Sequence, residues 1–409
     1  MAARAAKLTA EAKMGLSRRF LNLIVDIGIP GAKSLRCIDL TRQKLFDTTS
    51  SPKPPSRKGS ESEEGTRGRN RKNKRPAPLT IEAIRFPRKG FYLRAASMSD
   101  GWSLDCFPLA DRKVLCADQS GRTVLFDAET LDISTVPALR NTIWSPVSLF
   151  VPGADADEHD YGGSLFVMES RPDPEPKGNG HSSHQFEALV YGKPTSTSIA
   201  KSWHSKLLPP PPFIRDLRHW ENGRPRISSY GVVGGGSQVF VSVEGVGTFC
   251  LDTVEHTWSE IGEWTLPFSG KVEYVPDLKL WIGLSAEDQC LAAADLSTMD
   301  TKPQLIGTWK ELDPPKEWWI TKDSQLVNIG SGKFCIARFF HTNTPVLTQF
   351  GKEIFEQHFV ILTGVEVVPR VGKSSGNANG CKGKVGLHMI RHKSKYHMAK
   401  DRATIKSVF

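Results

Sequence analysis

SSYGVVGGGSQVFVSVEGVGTFCLDTVEHTWSEIGEWTL, residues 228–266, reads as four strands in a row. SSYGVV runs into Gly234-Gly235-Gly236, QVFVSVEG follows, then GTFCLDT, then TWSEIGEWTL, with a tight turn at each junction. In the second strand Val239, Val241 and Val243 alternate with Phe240 and Ser242. That period of two puts successive side chains on opposite faces, so these strands are half buried against neighbouring layers.

The same four-part unit fits the flanking sequence on both sides, over residues 101–137, 145–209, 271–312 and 323–392. A further copy starting at residue 19 offers only FLNLIVD, SLRCIDLT and then QKLF or LTIEAIRF, one strand short. ATIKSVF at residues 403–409 supplies the missing one if it pairs as the inner strand beside Phe20 to Asp26. The expectation is an all-β, six-bladed β-propeller closed by a C-terminal strand in the N-terminal blade, with seven blades as the alternative should strands have been merged. Residues 1–18 form an extension, residues 19–409 the propeller, and residues 48–78, almost devoid of apolar side chains, a disordered basic insertion in the first blade.

Composition agrees with a large turn-rich core: 39% hydrophobic residues, twenty Phe and ten Trp, together with 35 Gly and 27 Pro. The net charge of +10 is unevenly placed. Residues 51–78 carry nine Lys/Arg against three acids and residues 369–409 carry ten against Asp401 alone, so those stretches are +6 and +9 and the rest is −5. The basicity belongs to a linker and a tail, which argues against a phosphate-binding face on the folded body. Seven scattered Cys without a C-x-x-C pair suit a reducing compartment. No stretch has the ~18 apolar residues of a membrane span. The expected location is cytoplasmic, nuclear or both, with organelle import, which the Ala- and Lys/Arg-rich first nineteen residues would tolerate, less favoured.

Gly235 and Gly236 before a strand, Leu251-Asp252 at the end of another and Trp258 at the start of the outer one resemble the kelch repeat. Phe126-Asp127 with Thr130 and Ala294-Asp295 with Thr298 are partial echoes. A short Asp side chain can accept backbone N–H bonds across a turn and Gly supplies a positive φ, so these residues are read as architectural. Across Ser17 to Phe409 the chain also looks like a plant family of unknown function that is expanded in cereals, through SRRFLNLIVD, SLRCIDLTRQ, DCFPLADRKVLC, the run around Gly234 to Asp252, and GTWKELDPP through IARFFHT. The resemblance implies a kelch or galactose-oxidase-like propeller with no established activity, and carries over no functional residues. Plant kelch propellers often follow an F-box, but about eighteen residues before the first strand are too few for one.

RGRNRKNKRP presents Arg67, Arg69, Arg71, Lys72, Lys74 and Arg75 within ten positions, a cluster of the kind read by nuclear import receptors or bound to nucleic acid, or simply a solvated linker. His388, His392 and His397 invite a metal, yet positions four apart on a strand sit ~13 Å from one another. The acidic stretch Asp155 to Asp160 lacks the spacing of a calcium loop, and Gly372-Lys373-Ser374 lacks the first Gly of a P-loop. No G-x-S-x-G or H-E-x-x-H motif occurs, so no catalytic residue, cofactor or metal is assigned. The leading expectation is a protein-interaction scaffold with a protein partner. A hydrolase or oxidoreductase acting at the channel mouth comes second, discriminated by whether acidic, His or Tyr side chains converge in the channel. A nuclear protein holding nucleic acid through residues 51–78 is third.

Overall fold

The computed structural model describes residues 18–47, 81–85, 91–94, 104–109, 113–127, 129–141, 143–153, 162–175, 185–194, 197–221, 223–348, 351–370, 386–399 and 403–409. Their regular structure is all strand apart from three short 3-10 turns, two of which, Pro212–Arg215 and Leu217–Trp220, follow the proline run at 209–212. The expected insertion at 48–78 and the extension up to residue 17 lie outside the described residues.

The strands group into antiparallel four-strand units, each called a sheet below, of which the fourth and fifth join through their inner strands into one eight-stranded sheet and the sixth gains a short fifth strand. The fourth sheet is the quoted stretch: Ile227–Val233, Gln238–Val243, Gly247–Asp252 and Trp258–Gly262. The second runs Leu104–Pro108, Lys113–Asp118, Thr123–Asp127, Ile133–Thr135, and the third Pro146–Pro152, Gly163–Glu169, Phe186–Gly192, Ser202–Leu207. The fifth is Phe268–Val275, Leu280–Ser285, Leu291–Ala294, Leu305–Trp309, and the sixth Trp319–Gly330, Lys333–Thr348, Gly351–Pro369, Leu387–Met398. In the first sheet the order is Thr404–Val408, Phe20–Asp26, Ala32–Asp39, Phe91–Arg94.

Alternation of side chains explains how the sheets stack. Val239, Val241 and Val243 of the fourth sheet pack with Leu149, Phe166 and Phe186 of the third, while Phe240, one position out of step, packs with Phe268, Val272 and Trp281 of the fifth. Both faces are therefore core. Equivalent clusters join the second sheet to the third through Leu115 and Leu165, and the fifth to the sixth through Ile282 and Ile336. The sixth meets the first through Ile336's neighbours Cys335 and Ala337 against Leu21 and Leu23, and the first meets the second through Ile24 and Val114. Each sheet buries both faces against its neighbours and the series returns to its start, which is a closed ring.

Closure rests on the last strand. Thr404–Val408 pairs antiparallel with Phe20–Asp26, with Leu23 opposite Val408 and Asp26 opposite Thr404. Asn22 and Phe409 exchange backbone bonds of 2.8 and 3.0 Å. Ile405 and Val408 enter the core shared with the sixth sheet, whereas Phe409 enters the core shared with the second.

Two assignments of strands differ from the sequence reading. The outer strand of the first sheet is Phe91–Arg94, and neither QKLF nor LTIEAIRF. Phe91 stacks on Phe126 of the second sheet at 5.0 Å between ring centroids. From LTIEAIRF, Glu82–Ala83 instead adds in parallel to the outer strand of the sixth sheet, opposite Lys395 and Tyr396, with the Glu82 carboxylate 2.8 Å from the Lys395 ammonium. The sixth sheet also reaches further than expected, with central strands of 16 and 19 residues.

Candidate functional site

The turns come first because they set where the strands end. Asp39, Asp127 and Asp252 each close the third strand from the centre of their sheets, and Asp295 follows the equivalent strand of the fifth. Their carboxylates accept backbone N–H bonds from Thr41 at 2.9 Å, Glu129 at 2.9 Å, Val254 and Glu255 at 2.8 Å, and Ser297 at 2.9 Å. The Glu255 and Val254 donors hold Asp252 below the ordinary carboxylate range. Thr253 Oγ1 donates to the Gly236 carbonyl at 2.8 Å, and Gly235 and Gly236 sit at φ 66° and 106°. The Trp258 indole donates to the Pro209 carbonyl at 2.8 Å, tying the fourth sheet to the linker arriving from the third. Buried carboxylates do similar service elsewhere: Glu187 accepts from Arg140 N and Glu169 from Trp144 N and Ser145 N, fixing the passage between the second and third sheets.

The inner strands of all these sheets surround a channel of about 680 Å³. Its lining is charged. Arg171, Arg226, Lys271, Lys322, Lys406 and Arg18 are set against the carboxylates Asp105, Glu273 and Asp323. Two pairs are formed: Lys271 Nζ lies 2.6 Å from Glu273 and Arg226 Nη2 lies 2.8 Å from Asp323. Lys322 Nζ donates to the Lys406 carbonyl at 2.9 Å, which brings two ammonium-bearing strands together beside the closing strand. Lys322 is open to the channel yet walled by protein. Desolvation lowers its pKa, with the Lys406 charge adding to the effect and Asp105 opposing it. Burial pushes Asp105 up to about 6, and Tyr230, on the inner strand of the fourth sheet, up to about 12. Gln325 completes the seam, its Oε1 accepting Val408 N at 2.8 Å and its Nε2 donating to Ser407 Oγ at 3.2 Å.

A second cavity of about 720 Å³ adjoins the channel, and the two share Phe150, Lys271 and Glu273 as wall. Its position follows from the inner strands of the fourth and fifth sheets, which pair in parallel only from Ser229 to Gly231 against Gly270 to Val272. A Cβ on Gly231 would stand 2.6 Å from the Phe240 ring and 2.8 Å from the Val272 carbonyl oxygen, so glycine permits that approach. Beyond Gly231 no pairing continues, and the wall becomes apolar, with Val232, Ile261, Trp281, Leu296 and Met299. Tyr274 and Trp281 face each other there at 4.5 Å between ring centroids.

The third feature projects from the sixth sheet. Past His341 and His358, residues 342–357 are paired only with one another among the described residues, as a two-stranded arm running from Thr342 opposite Gln357 to Thr348 opposite Gly351. Ile354 and Phe355 on it are 73% and 63% exposed, and Trp319 and Ile320 are exposed at its base.

Of the residues singled out from sequence, Gly235, Gly236, Asp252 and Trp258 belong to the turns and outer strand of the fourth sheet, none of them in the charged channel wall, while Gly235 and Gly236 line the second cavity. Arg67, Arg69, Arg71, Lys72, Lys74 and Arg75 lie outside the described residues, as does Asp155 to Asp160. His392 is engaged by Glu366 at 3.0 Å and His397 by the Ala403 carbonyl at 3.3 Å. Among the described residues no three His, Cys, Asp or Glu gather as for a metal ion, and no helix is long and apolar enough to cross a membrane. Six cysteines among them are free, with burial pushing the Cys37 and Cys335 thiols up to about 12, away from nucleophilic thiolate. The channel charges were not found from sequence, because nothing local marks Arg226, Lys271, Lys322 and Lys406 as neighbours.

Four-strand meanders arranged in a closed ring around a channel define a β-propeller. The chain belongs to the family described as "Protein of unknown function (DUF1668)", whose model matches residues 18–397. No curated protein matches it. Among solved structures it is similar to a structural genomics protein of unknown function from Bacteroides thetaiotaomicron, at 10% identity and a TM-score of 0.31, covering 64% of this chain and 54% of that one. It is also similar to the β-propeller domain of Cps50 (Swd1) from Myceliophteria thermophila, at 10% identity and a TM-score of 0.27, covering 64% and 96%. With BamB from Moraxella catarrhalis it shares 11% identity at a TM-score of 0.24, covering 61% and 78%. The chain spans little more than half the length of the Bacteroides structure.

Proposed function

We propose that this propeller is a protein-interaction scaffold of the cytoplasm or nucleus, and that the arm at residues 342–357 is its docking element. The observation that carries this reading is the exposure of Ile354 and Phe355 on an arm whose strands, among the described residues, form a backbone ladder only with each other. An isolated two-stranded hairpin is marginal in water, and free N–H and C=O groups along an edge are a template for another strand. The occupant is a partner chain that adds an extended segment to one edge and covers Ile354 or Phe355 with its own apolar side chains. The turn of Gly235, Gly236, Asp252 and Trp258 is then architectural, of the kelch type. Cross-linking mass spectrometry on the full chain should place partner contacts on residues 342–357. Ile354→Ser with Phe355→Ser should remove them without lowering the melting temperature. Contacts that persist in the double variant overturn the proposal, and a dimer of the purified chain that the variant dissociates makes the occupant a second copy instead.

A second reading, hydrolytic or redox chemistry in the channel, is favoured by the shifted Asp105 beside Lys322. Turnover of an ester or phosphate substrate by the wild type, lost in Asp105→Asn, would support it. Absence of turnover across such a panel would count against it.

A further inference from the structure

The channel and its apolar annex carry an inference separate from the arm. Outside its basic linker and tail the chain is net −5, yet five of the six cations lining the channel come from that acidic portion, the sixth being Lys406 of the tail. Positive charge has been concentrated where the inner strands converge. Glu273 and Asp323 each hold one cation, Lys271 and Arg226. Asp105 is the carboxylate whose charge acts on Lys322, and Lys406 and Arg171 stand in the same channel wall. The Lys322 ammonium donates to the Lys406 backbone carbonyl, and the Lys406 charge acts unfavourably on Lys322, so the two charges repel. An anion placed between them relieves that repulsion and gains charge-assisted hydrogen bonds.

The annex is the more apolar of the two, although Gln238, Ser297, Lys271 and Glu273 also line it. Tyr274 and Trp281 offer two aromatic surfaces, with Met299, Leu296 and Ile261 around them. Lys271 and Phe150 stand in the wall of both cavities, so a single molecule can present a charged end to one and an apolar end to the other. Pockets for small ligands have this form, a mainly apolar enclosure with a few convergent polar groups.

We infer that the channel and its annex form one binding site for a small amphiphilic organic anion, with its carboxylate or phosphate among Lys322, Lys406 and Arg171 and its apolar or aromatic body against Tyr274 and Trp281. The anion is held by charge and hydrogen bonds, and the body by removing apolar surface from water. A neutral apolar molecule leaves the ammonium groups unmatched, while inorganic phosphate leaves the annex unfilled.

Calorimetric titration of the full chain separates these terms. Phenyl phosphate and phenylacetate are the amphiphilic probes, inorganic phosphate lacks the body, and benzyl alcohol lacks the charge. At least one aromatic anion should bind about tenfold or more tightly than inorganic phosphate and benzyl alcohol, and the two anions' ranking identifies phosphate or carboxylate as the preferred head. Lys322→Gln with Lys406→Gln should weaken the aromatic anions by about tenfold or more, and Tyr274→Ala should weaken them while leaving inorganic phosphate unaffected. Lys406→Gln alone, at an exposed side chain, keeps the test usable if the double variant melts early. The inference is overturned if neither aromatic anion binds, if benzyl alcohol binds as well as they do, or if their binding is indifferent to these substitutions.

Discussion

The first and fourth sheets have the same four-strand order, but the fourth is one continuous run of chain whereas the first draws its inner strand from Thr404–Val408. In the fourth sheet each pairing is made across a short turn, some fixed by a single Asp or Gly. In the first, one pairing requires ends nearly four hundred residues apart to meet, and loop-closure entropy opposes it. The seam therefore depends on the rest of the ring being built, and the fourth sheet depends mainly on its neighbours' side chains. Local sheets supply cooperativity through packing, while the seam supplies it through topology.

The hardest way to break that comparison is to delete Thr404–Phe409. Phe20–Asp26 then becomes an edge, and two interfaces lose Ile405, Val408 and Phe409. The expected result is loss of the cooperative thermal transition with gain of dye-binding apolar surface, followed by circular dichroism and dye fluorescence. Within the fourth sheet, Phe240→Ala should cost about 3–5 kcal/mol in urea denaturation, because the ring is fully buried between the fourth and fifth sheets. Back at the seam, Gln325→Leu leaves the Val408 N–H without its acceptor and should cost about 1–3 kcal/mol.

Asp105→Asn tests the channel beside the seam in the opposite direction. Its carboxyl titrates near 6 in the folded chain against about 3.9 unfolded, so the folded state binds the proton more tightly and wild-type stability falls as pH rises from about 4 through 6. The variant should be the more stable at pH 7 by roughly 1–2 kcal/mol, since channel water screens part of the cost, and the advantage should vanish near pH 4. Melting temperatures of both proteins across that range give the answer. The smallest effect belongs to Ile354→Ser on the arm, within about 0.5 kcal/mol, as for other exposed positions.

Val239 to Val243 was legible from sequence as a strand because alternation of side-chain type is a local property of an extended chain, but the half-buried strand expected there is buried on both faces, since a neighbouring sheet packs on each side. Phe91–Arg94 was not legible, since four residues carry too short a pattern and the stacking of Phe91 on Phe126 is a contact with another sheet. The arm was not read from sequence; it contains Pro345 opposite Ile354, in a stretch whose ladder partner among the described residues is only the arm's other strand. The turn carboxylates were partly visible: Asp252, Asp127 and Asp295 were read, while Asp39 with Thr41 passed unmarked.

By itself, the sequence determined that this chain is a series of four-strand units and that ATIKSVF belongs to the unit begun at Phe20. Side-chain alternation and turn residues act over a few positions, so a linear reading captures them. The tertiary structure alone decided that Arg226, Lys271, Lys322 and Lys406 share one channel, that a second cavity opens where two inner strands part, and that an arm carries Ile354 and Phe355 exposed. Those outcomes depend on ring closure, which brings distant inner strands within reach of one another, and convergence of that kind leaves no local pattern in the chain.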